Sequence, residues 1–259
     1  MTEGAQPVVI VTGGTSGIGA GISDLLAERG WSVVALGAAL ASDRNPPTHL
    51  SVQCVQADVS LASDVARVFS EVLARYGRLD ALVNNAAIGP LGTILDTDEA
   101  TWDRVIDVNL KGVFLCCKTV LPHLIARGGG SIVNVGSGSA WGKPRMAAYS
   151  ASKGGLMALS QAMAYDHFHD RIRVNMVIPG GGGIATGMSL ARVGGNPARL
   201  GPNAPGTAAG RRATPEDIAK AVAFLLSPEA EVISGTVIDV GCFMHQGGPI
   251  PHAPAPARS

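Results

Sequence analysis

The chain is poor in aromatic residues, net charge, long apolar runs and cysteine, and each shortage excludes some classes of structure or function. Aromatic residues make up only 4% of its 259 residues, so aliphatic side chains, alanine and glycine must build its core. Lysine and arginine balance aspartate and glutamate at 20 each, and the zero net charge gives no argument for binding nucleic acid. No basic run indicates an anionic membrane surface, and no apolar run approaches the ~20 residues that a membrane-spanning helix needs.

Cysteine is scarce as well. The four cysteines form neither a CxxC pair nor a zinc-ligand spacing; they are Cys54, Cys116, Cys117 and Cys242. We expect free thiols in a reducing compartment, because a domain of this size buries enough surface to need no disulfide. The sequence reaches a strand-like run at Val8 without a charged and then apolar segment before it, so we expect a cytoplasmic protein.

The chain is rich in alternating strand-like and helix-like segments. Short apolar runs predict strands at 8–12, 32–36, 51–56, 79–83, 130–135, 172–177 and 236–240. Helical spacing and end signals predict helices at 17–29, 61–75, 99–126, 147–168 and 215–226. The alternation predicts one α/β domain over residues 1–246, with a doubly wound parallel sheet and helices on both of its faces.

Two segments differ from this pattern in composition. Residues 180–212 hold many glycines, alanines and prolines, and we interpret them as a mobile substrate loop with room for a short helix. Residues 247–259 are rich in proline and alanine, which predicts a disordered or extended tail. His167 and His169 fit a helix end or the surface better than a metal site, because no partner ligands accompany them.

A glycine-rich run, TGGTSGIG at 12–19, lies between the first predicted strand and the first predicted helix. Glycine can take the backbone conformations of a tight turn, and a missing side chain lets a pyrophosphate approach the helix N-terminus. The candidate phosphate-binding residues are Gly13, Thr15, Ser16, Gly17, Ile18 and Gly19. An ordinary glycine-rich turn is the alternative, but the strand before and the helix after favour nucleotide binding.

The end of the second predicted strand is where such folds read the cofactor ribose. An acidic residue there binds the 2′-hydroxyl of NAD, whereas a nearby arginine accepts the 2′-phosphate of NADP. This chain has Gly37 at that position, followed by two alanines, and Arg44 stands in the loop beyond. The sequence therefore leaves both NAD(H) and NADP(H) open.

A tyrosine and a lysine stand one helical turn apart in the motif YSASK at 149–153. We predict that Tyr149 is a general acid/base and that Lys153 lowers its pKa from the usual value near ~10 and binds ribose hydroxyls. Ser137 follows the fifth predicted strand, where its hydroxyl could polarise a substrate oxygen. The tyrosine–lysine spacing alone is weak evidence for a catalytic pair, because it occurs by chance in many helices. Its combination with Ser137 and the glycine-rich turn makes it informative.

Taken together, the motifs resemble those of the short-chain dehydrogenase/reductase family, from Val8 to Gly241. In order they are TGGTSGIG at 12–19, ADV at 57–59, NNAA at 84–87, VNLKG at 108–112, SIVNVGS at 131–137, YSASK at 149–153, RVNMVIPG at 173–180, PEDIA at 215–219 and SGTVIDVG at 234–241. The resemblance implies a Rossmann-like sheet of seven strands. It also implies an oxidoreductase that transfers a hydride between NAD(H) or NADP(H) and a carbonyl or secondary alcohol carbon.

The resemblance also assigns residues. The implied catalytic residues are Asn109, Ser137, Tyr149 and Lys153, with Asn109 in a proton relay. The implied cofactor-binding residues beyond the glycine-rich turn are Gly37, Asp58, Val59, Asn85, Ala86, Tyr149, Lys153, Pro179, Gly180, Ile184 and Thr186. Two alternatives stay open, since Asn109 could simply bridge backbone groups and Asp58 could cap a turn.

The chain departs from the family pattern at several positions. Ala87 stands where a glycine is usual, and the segment P-G-G-G-G-I-A-T from Pro179 is about two residues longer than the common form. Cys242 and Phe243, with His245 nearby, begin an unusual C-terminal stretch. A catalytically inactive nucleotide-binding regulator or scaffold of the same fold is therefore an alternative function, and dehydration or epimerisation through transient oxidation is a third.

The substrate is only weakly constrained by the sequence. The loop at 185–212 carries the apolar residues Met188, Leu190, Val193 and Leu200 together with Arg192 and Arg199. We expect a moderately apolar secondary alcohol or ketone, with an anionic substrate held by one arginine as the alternative. A homo-oligomer, either a dimer or a tetramer, is expected from the resemblance, with the helices near 99–126 and 147–168 at its interface.

Overall fold

The computed structural model describes residues 6–40, 46–180, 184–200 and 207–241. The expectations for Arg44, the glycines at 181–183, Cys242, Phe243, His245 and the tail at 247–259 lie outside the described residues. Within them, no helix is long and apolar enough to cross a membrane.

Seven parallel strands form one sheet in the order β3-β2-β1-β4-β5-β6-β7. They are Val8–Thr12 (β1), Ser32–Gly37 (β2), Gln53–Gln56 (β3), Ala81–Asn84 (β4), Gly130–Val135 (β5), Ile172–Ile178 (β6) and Val237–Asp239 (β7). All seven predicted strands are present, with ends shifted by one or two residues. The chain turns to opposite sides of β1 for β2 and β4, so a crevice opens at the carboxyl ends of β1 and β4, where open α/β sheets bind ligands.

Helices cover both faces of the sheet. They are Gly17–Glu28 (α1), Ala62–Tyr76 (α2), Glu99–Ile106 (α3), Gly112–Ala126 (α4), Ala147–Asp166 (α5), Gly187–Arg192 (α6) and Pro215–Leu226 (α7). Alternate side chains of β1 point to opposite faces: Ile10 packs with the layer that contains α2, α4 and α5, and Val11 with the layer that contains α1 and α7. The predicted α/β architecture is confirmed.

The helix predicted at 99–126 is interrupted by a single π-helical turn. This turn, Asp107–Lys111, joins α3 to α4 and contains the fully buried Asn109. A π-helical turn adds a residue to the helical repeat and is frequent at functional sites. No sequence pattern predicted it, because its hydrophobic periodicity is continuous with that of the flanking helices.

Asp80 joins the beginnings of several strands. Its carboxylate accepts hydrogen bonds from Val8 N at 2.8 Å and from Arg78 at 2.7 Å, and Arg127 lies at 2.8 Å. Burial alone would raise the pKa of Asp80, but the hydrogen bonds and the two arginine charges overcome this and hold the pKa below its usual value. The carboxylate therefore holds β1 beside β4 at the edge of the sheet opposite the crevice.

We expect Asp80→Asn to lower the free energy of unfolding at pH 7 by about 2 kcal/mol, because charged hydrogen bonds to partly buried partners are lost. A lowered carboxylate pKa stabilises the fold above the unfolded-state value and loses that effect as the pH falls through the folded value. The difference between wild type and variant in urea unfolding should therefore shrink below about pH 4. A difference that stays constant down to pH 2 would contradict this account.

Candidate functional site

The glycine-rich turn and the segment after β4 lie side by side at the crevice. Thr12 Oγ1 accepts hydrogen bonds from the backbone N–H groups of Asn85 at 3.0 Å and Ala86 at 3.1 Å. The Asn85 amide donates in turn to the carbonyl oxygens of Thr12 and Gly13. Asn85 therefore fixes the turn, while Ala86 forms its wall: a Cβ on Gly13 would come within 2.8 Å of the Ala86 Cα.

The turn meets the geometric needs of a phosphate. Gly13 and Gly17 have φ angles of 60° and 56°, which favour glycine, and a Cβ on Gly19 would collide with the Gly13 carbonyl oxygen. Ser16 is the N-cap residue of α1, yet its side chain makes no capping hydrogen bond. The first N–H groups of α1 thus have no partner within the helix, and with the helix dipole they suit an anion.

Thr186 lies across this cradle. A Cβ on Gly17 would sit 3.4 Å from the Thr186 Cβ, so the segment after β6 reaches the start of α1. Thr186 also begins α6: its hydroxyl accepts from Ser189 N, and Ser189 Oγ accepts from Thr186 N. Ser189 further donates to the Ile184 carbonyl oxygen at 2.6 Å. Pro179 and Gly180 directly follow β6, and Ile184 is buried in the core layer of α1 and α7.

At the ribose-reading position, Gly37 is packed against the turn. A Cβ on Gly37 would collide with the hydroxyl of Thr15, which is itself only 3% exposed. Thr15 thus fills the space that a longer side chain at position 37 would need. A carboxylate side chain at this position would therefore collide with the Thr15 side chain.

We expect Gly37→Ala to lower the free energy of unfolding by about 1–3 kcal/mol, because it overpacks a closed contact. In a Thr15→Gly background, the same substitution should cost less than half as much. The check is a double-mutant cycle from urea unfolding. Additive losses across the four proteins would show that the collision with Thr15 does not set the cost.

Asp58 and Val59 lie beside the crevice, but both make structural contacts. The Asp58 carboxylate accepts from Ser60 Oγ at 2.6 Å and Ser60 N at 2.9 Å, and pairs with Arg104 at 2.8 Å. Burial alone would raise the pKa of Asp58, but the Ser60 hydrogen bonds and Arg104 outweigh this effect and hold the pKa below its usual value. The turn-capping interpretation of Asp58 is therefore supported, and its role in binding the cofactor stays a prediction.

Asn109 connects three segments of the site. Its Oδ1 accepts from Ile88 N at 2.8 Å, and its Nδ2 donates to Ile88 O at 2.8 Å and to Ser152 Oγ at 3.0 Å. Ser152 in turn donates to the Tyr149 carbonyl oxygen at 2.8 Å. The backbone-bridging interpretation is thus confirmed, and it positions α5 against the segment after β4. Ser152 was missed in the sequence, although it stands inside YSASK.

Tyr149 and Ser137 come together at the carboxyl end of β5. Ser137 follows this strand, and its hydroxyl accepts a hydrogen bond from Ser139 N at 3.1 Å; Ser137 also lies close enough to Tyr149 to influence the pKa of the phenol. Tyr149 is only 7% exposed. Burial raises the pKa of Tyr149, and the Ser137 hydrogen bond and the positive charge of Arg192 oppose this, with a net increase.

Lys153 is hydrogen bonded to the end of β5. Its ammonium donates to the Val135 carbonyl oxygen at 2.8 Å and lies 5.9 Å from the centre of the Tyr149 ring. The groups that oppose the increase in the pKa of Tyr149 are Ser137 and Arg192, so the prediction that Lys153 lowers that pKa is not supported. Burial instead lowers the pKa of Lys153 itself to about 8.

A buried lysine with a lowered pKa makes stability rise with pH, because the unfolded chain binds more protons between the two pKa values. Relative to Lys153→Met, we expect wild type to gain about 1 kcal/mol of unfolding free energy between pH 7 and pH 9. Chemical unfolding at the two pH values measures this. An unchanged difference would show that Lys153 titrates as a normal lysine in the folded protein.

Arg192 is the site residue whose contacts the sequence did not reveal. Its guanidinium carbon lies 5.0 Å from the centre of the Tyr149 ring, and its Nε donates to Gly89 O at 2.9 Å. A Cβ on Gly89 would collide with the Arg192 side chain. A cavity of about 910 Å³ opens beside them, between α3, α6 and the segment after β4, with Ala87 and Met188 in its lining. This volume suits a small molecule.

The remaining candidates do not form a site. Burial raises the pKa of the Cys117 thiol to about 12, and that of Cys116 is raised as well, which makes both unreactive. His167 ends α5 and pairs with Asp170 at 2.9 Å. In the part of the chain that the structure describes, no three histidine, cysteine, aspartate or glutamate side chains cluster as metal ligands.

The chain is similar to known proteins over most of its length. A family model described as Enoyl-(Acyl carrier protein) reductase matches residues 13–244. 2-(S)-hydroxypropyl-CoM dehydrogenase 3 of Xanthobacter autotrophicus is 36% identical over 252 residues, which cover 90% of this chain and 94% of the relative. Cis-4-hydroxycyclohexanecarboxylate dehydrogenase of Sinomonas cyclohexanicum is 38% identical over 244 residues, with coverage of 91% and 95%.

A solved structure shares the same architecture. The 3-ketoacyl-(acyl-carrier-protein) reductase of Brucella melitensis, complexed with NADH, superposes with a TM-score of 0.82 at 29% identity. The match covers 93% of this chain and 99% of that protein. The order of strands and the glycine-rich turn described above are thus features of a dinucleotide-binding architecture.

Proposed function

Because the chain belongs to the short-chain dehydrogenase/reductase family and is an NAD(P)-dependent oxidoreductase acting on alcohol and carbonyl groups, we propose that Tyr149 is its general acid/base. The carrying observation is that Tyr149 is buried beside Ser137 at the ligand-binding end of the sheet, one helical turn from Lys153. In reduction, Tyr149 donates the proton that the substrate oxygen receives, and in oxidation it accepts that proton.

Ser137 polarises the substrate oxygen. It follows the end of β5 beside Tyr149, and in this proposal both hydroxyls donate to one carbonyl oxygen. Negative charge develops on this oxygen as the carbon is reduced, and donors already in place stabilise it. The raised pKa of Tyr149 keeps the phenol protonated at neutral pH, which suits a proton donor.

Asn109 and Lys153 support this pair. The hydrogen bonds of Asn109 to Ile88 and Ser152 make it a positioning residue for α5, and we include it in the proton relay that begins at Tyr149. With a pKa near 8, Lys153 exchanges protons close to neutral pH, and its ammonium sits under the end of β5. It holds the cofactor ribose in this proposal.

The cofactor NAD(H) or NADP(H) supplies or accepts the hydride. The unpaired N–H groups at the start of α1 hold its pyrophosphate, with Thr186 across the cradle. The remaining cofactor contacts that we propose come from Gly13, Thr15, Ser16, Gly17, Ile18, Gly19, Gly37, Asp58, Val59, Asn85, Ala86, Tyr149, Lys153, Pro179, Gly180, Ile184 and Thr186. At Gly37 no carboxylate opposes a 2′-phosphate, so both cofactors fit this position.

The substrate is a small carbonyl compound or secondary alcohol in the cavity beside Arg192. One relative is named for the oxidation of a hydroxycyclohexanecarboxylate, and a second for that of a hydroxypropyl compound. Both names describe a hydroxyl on an aliphatic carbon. We propose this substrate class also for this enzyme, with residues 1–246 as one catalytic domain in the cytoplasm.

A homo-oligomer, a dimer or tetramer, forms in this proposal through the outer surfaces of α4 and α5. Phe114 on α4, Tyr165 near the end of α5 and Phe168 just after it are 47%, 87% and 69% exposed. Large apolar side chains that face water in one region indicate an interface. The alternative of an inactive nucleotide-binding regulator finds no supporting contact in the described site.

We expect Tyr149→Phe to lower kcat for ketone reduction by about a hundred-fold or more, because it removes the proton donor. NADH or NADPH binding, followed by cofactor fluorescence, should change little. We expect Ser137→Ala to shift the basic limb of the pH profile upward, because Ser137 opposes the increase in the pKa of Tyr149. Steady-state rates with a panel of aliphatic ketones measure both effects.

The matched control is Tyr165→Phe, which removes the hydroxyl of an exposed tyrosine on the same helix. It should keep the wild-type rate. Cofactor oxidation by Tyr149→Phe at the wild-type rate would refute the assignment of Tyr149 as acid/base.

A further inference from the structure

Arg192 has a donor atom without an acceptor among the described residues. Its Nε donates to Gly89 O at 2.9 Å, whereas its Nη2 is buried and reaches no acceptor at hydrogen-bond geometry in this part of the chain, although the guanidinium faces the Tyr149 ring. Buried polar groups in folded proteins are nearly always hydrogen bonded. A buried guanidinium N–H at the edge of a cavity is therefore prepared for a ligand.

A second cation lies close to this arginine. Lys143 precedes α5. Its pKa is lowered by partial desolvation and by repulsion from the Arg192 charge, although the residue is exposed. Among the described residues, neither Lys143 nor Arg192 forms an ion pair. Two neighbouring cations without a protein carboxylate create a positive potential that favours a negative ligand.

The acidic residue in the cavity lining does not neutralise them. Asp98 accepts a hydrogen bond from Thr101 N at 2.7 Å and so caps α3. Arg104, which also lines the cavity, is paired with Asp58. Arg192 is the cation on the described lining that no carboxylate pairs with.

The position of Arg192 separates it from the cofactor phosphates. Thr186, at the start of α6, lies against Gly17 of the phosphate-binding turn, whereas Arg192 is at the other end of this helix. Six residues of helix span about 9 Å. Arg192 instead contacts the Tyr149 ring, at which the substrate oxygen is protonated.

We propose that Arg192 binds a carboxylate of the substrate, carried a few bonds from the carbon that is oxidised or reduced. This inference rests on the proposed function of Tyr149 and makes it more specific: the substrate is a small hydroxy acid or oxo acid. The planar guanidinium matches the two oxygens of a carboxylate, and such charged hydrogen bonds are among the stronger ones. Arg192 is then a specificity-determining residue of the enzyme.

The test compares an acid with a neutral molecule of the same shape. The binding probes are cyclohexanecarboxylate and cyclohexanecarboxamide, titrated by calorimetry into the full chain with NADH or NADPH bound. We expect the carboxylate to bind at least about ten-fold more tightly than the amide, and Arg192→Gln to abolish this preference. Arg192→Lys should keep part of it, because it retains the charge but not the planar fork.

The kinetic arm uses 4-oxocyclohexanecarboxylate and its methyl ester. Arg192→Gln should raise KM for the acid by about ten-fold or more and leave KM for the ester nearly unchanged. Arg199→Gln is the matched control, since it removes the charge of an exposed arginine on the same segment. It should keep the wild-type ratio of acid to ester.

Several results would overturn the proposal. One is a wild-type protein without preference for the carboxylate over the amide. Another is an Arg192→Gln variant that affects acid and ester equally, as a guanidinium that only tunes the pKa of Tyr149 would do. Loss of NADH affinity in Arg192→Gln would assign the arginine to the cofactor. Calorimetry needs no turnover. If the protein binds the carboxylate through Arg192 but reduces no ketone, the role of Tyr149 is wrong and that of Arg192 stands.

Discussion

The side-chain amide of Asn109 bonds to both backbone groups of Ile88 and to the Ser152 hydroxyl, and the geometry of the site depends on these three hydrogen bonds. They join the segment after β4 to the first turns of α5. A single π-helical turn brings Asn109 into this buried position. Together with the hydrogen bond of Lys153 to Val135 O, this turn attaches the helix that carries Tyr149 to the crevice.

The two halves of the site use the same strand end for different purposes. Toward β1, Asn85 supports the glycine-rich turn and thereby the anion-binding start of α1. Toward α5, Ile88 and Gly89 hold Asn109 and Arg192. The segment from Asn85 to Gly89 thus sets the distance between the place for phosphates and the place for a substrate oxygen, which hydride transfer requires to be constant.

The electrostatics of Tyr149 follow from burial more than from its lysine. A nearly buried phenol resists ionisation, and the groups that favour its ionised form are a hydroxyl from the end of β5 and a guanidinium from α6. Lys153, buried beneath the same strand end, loses part of its own charge near neutral pH. The tendency of Tyr149 to give up its proton is therefore set by Ser137 and by Arg192 on α6 as well as by its burial.

The sequence by itself determined the strands, the helices and the local chemistry of the turn at 12–19 and of YSASK, because apolar periodicity and glycine positions are local properties. It also placed Ser137, since a residue that ends a parallel strand must lie at the ligand-binding edge. The predicted effect of Lys153 on the pKa of Tyr149 is not supported, since helical spacing brings two side chains near each other without revealing how deeply each is buried. Only the tertiary structure decided that Arg192 faces Tyr149: its partner Gly89 is 103 residues away in the chain, and the segment that carries it has no periodic pattern from which its position follows.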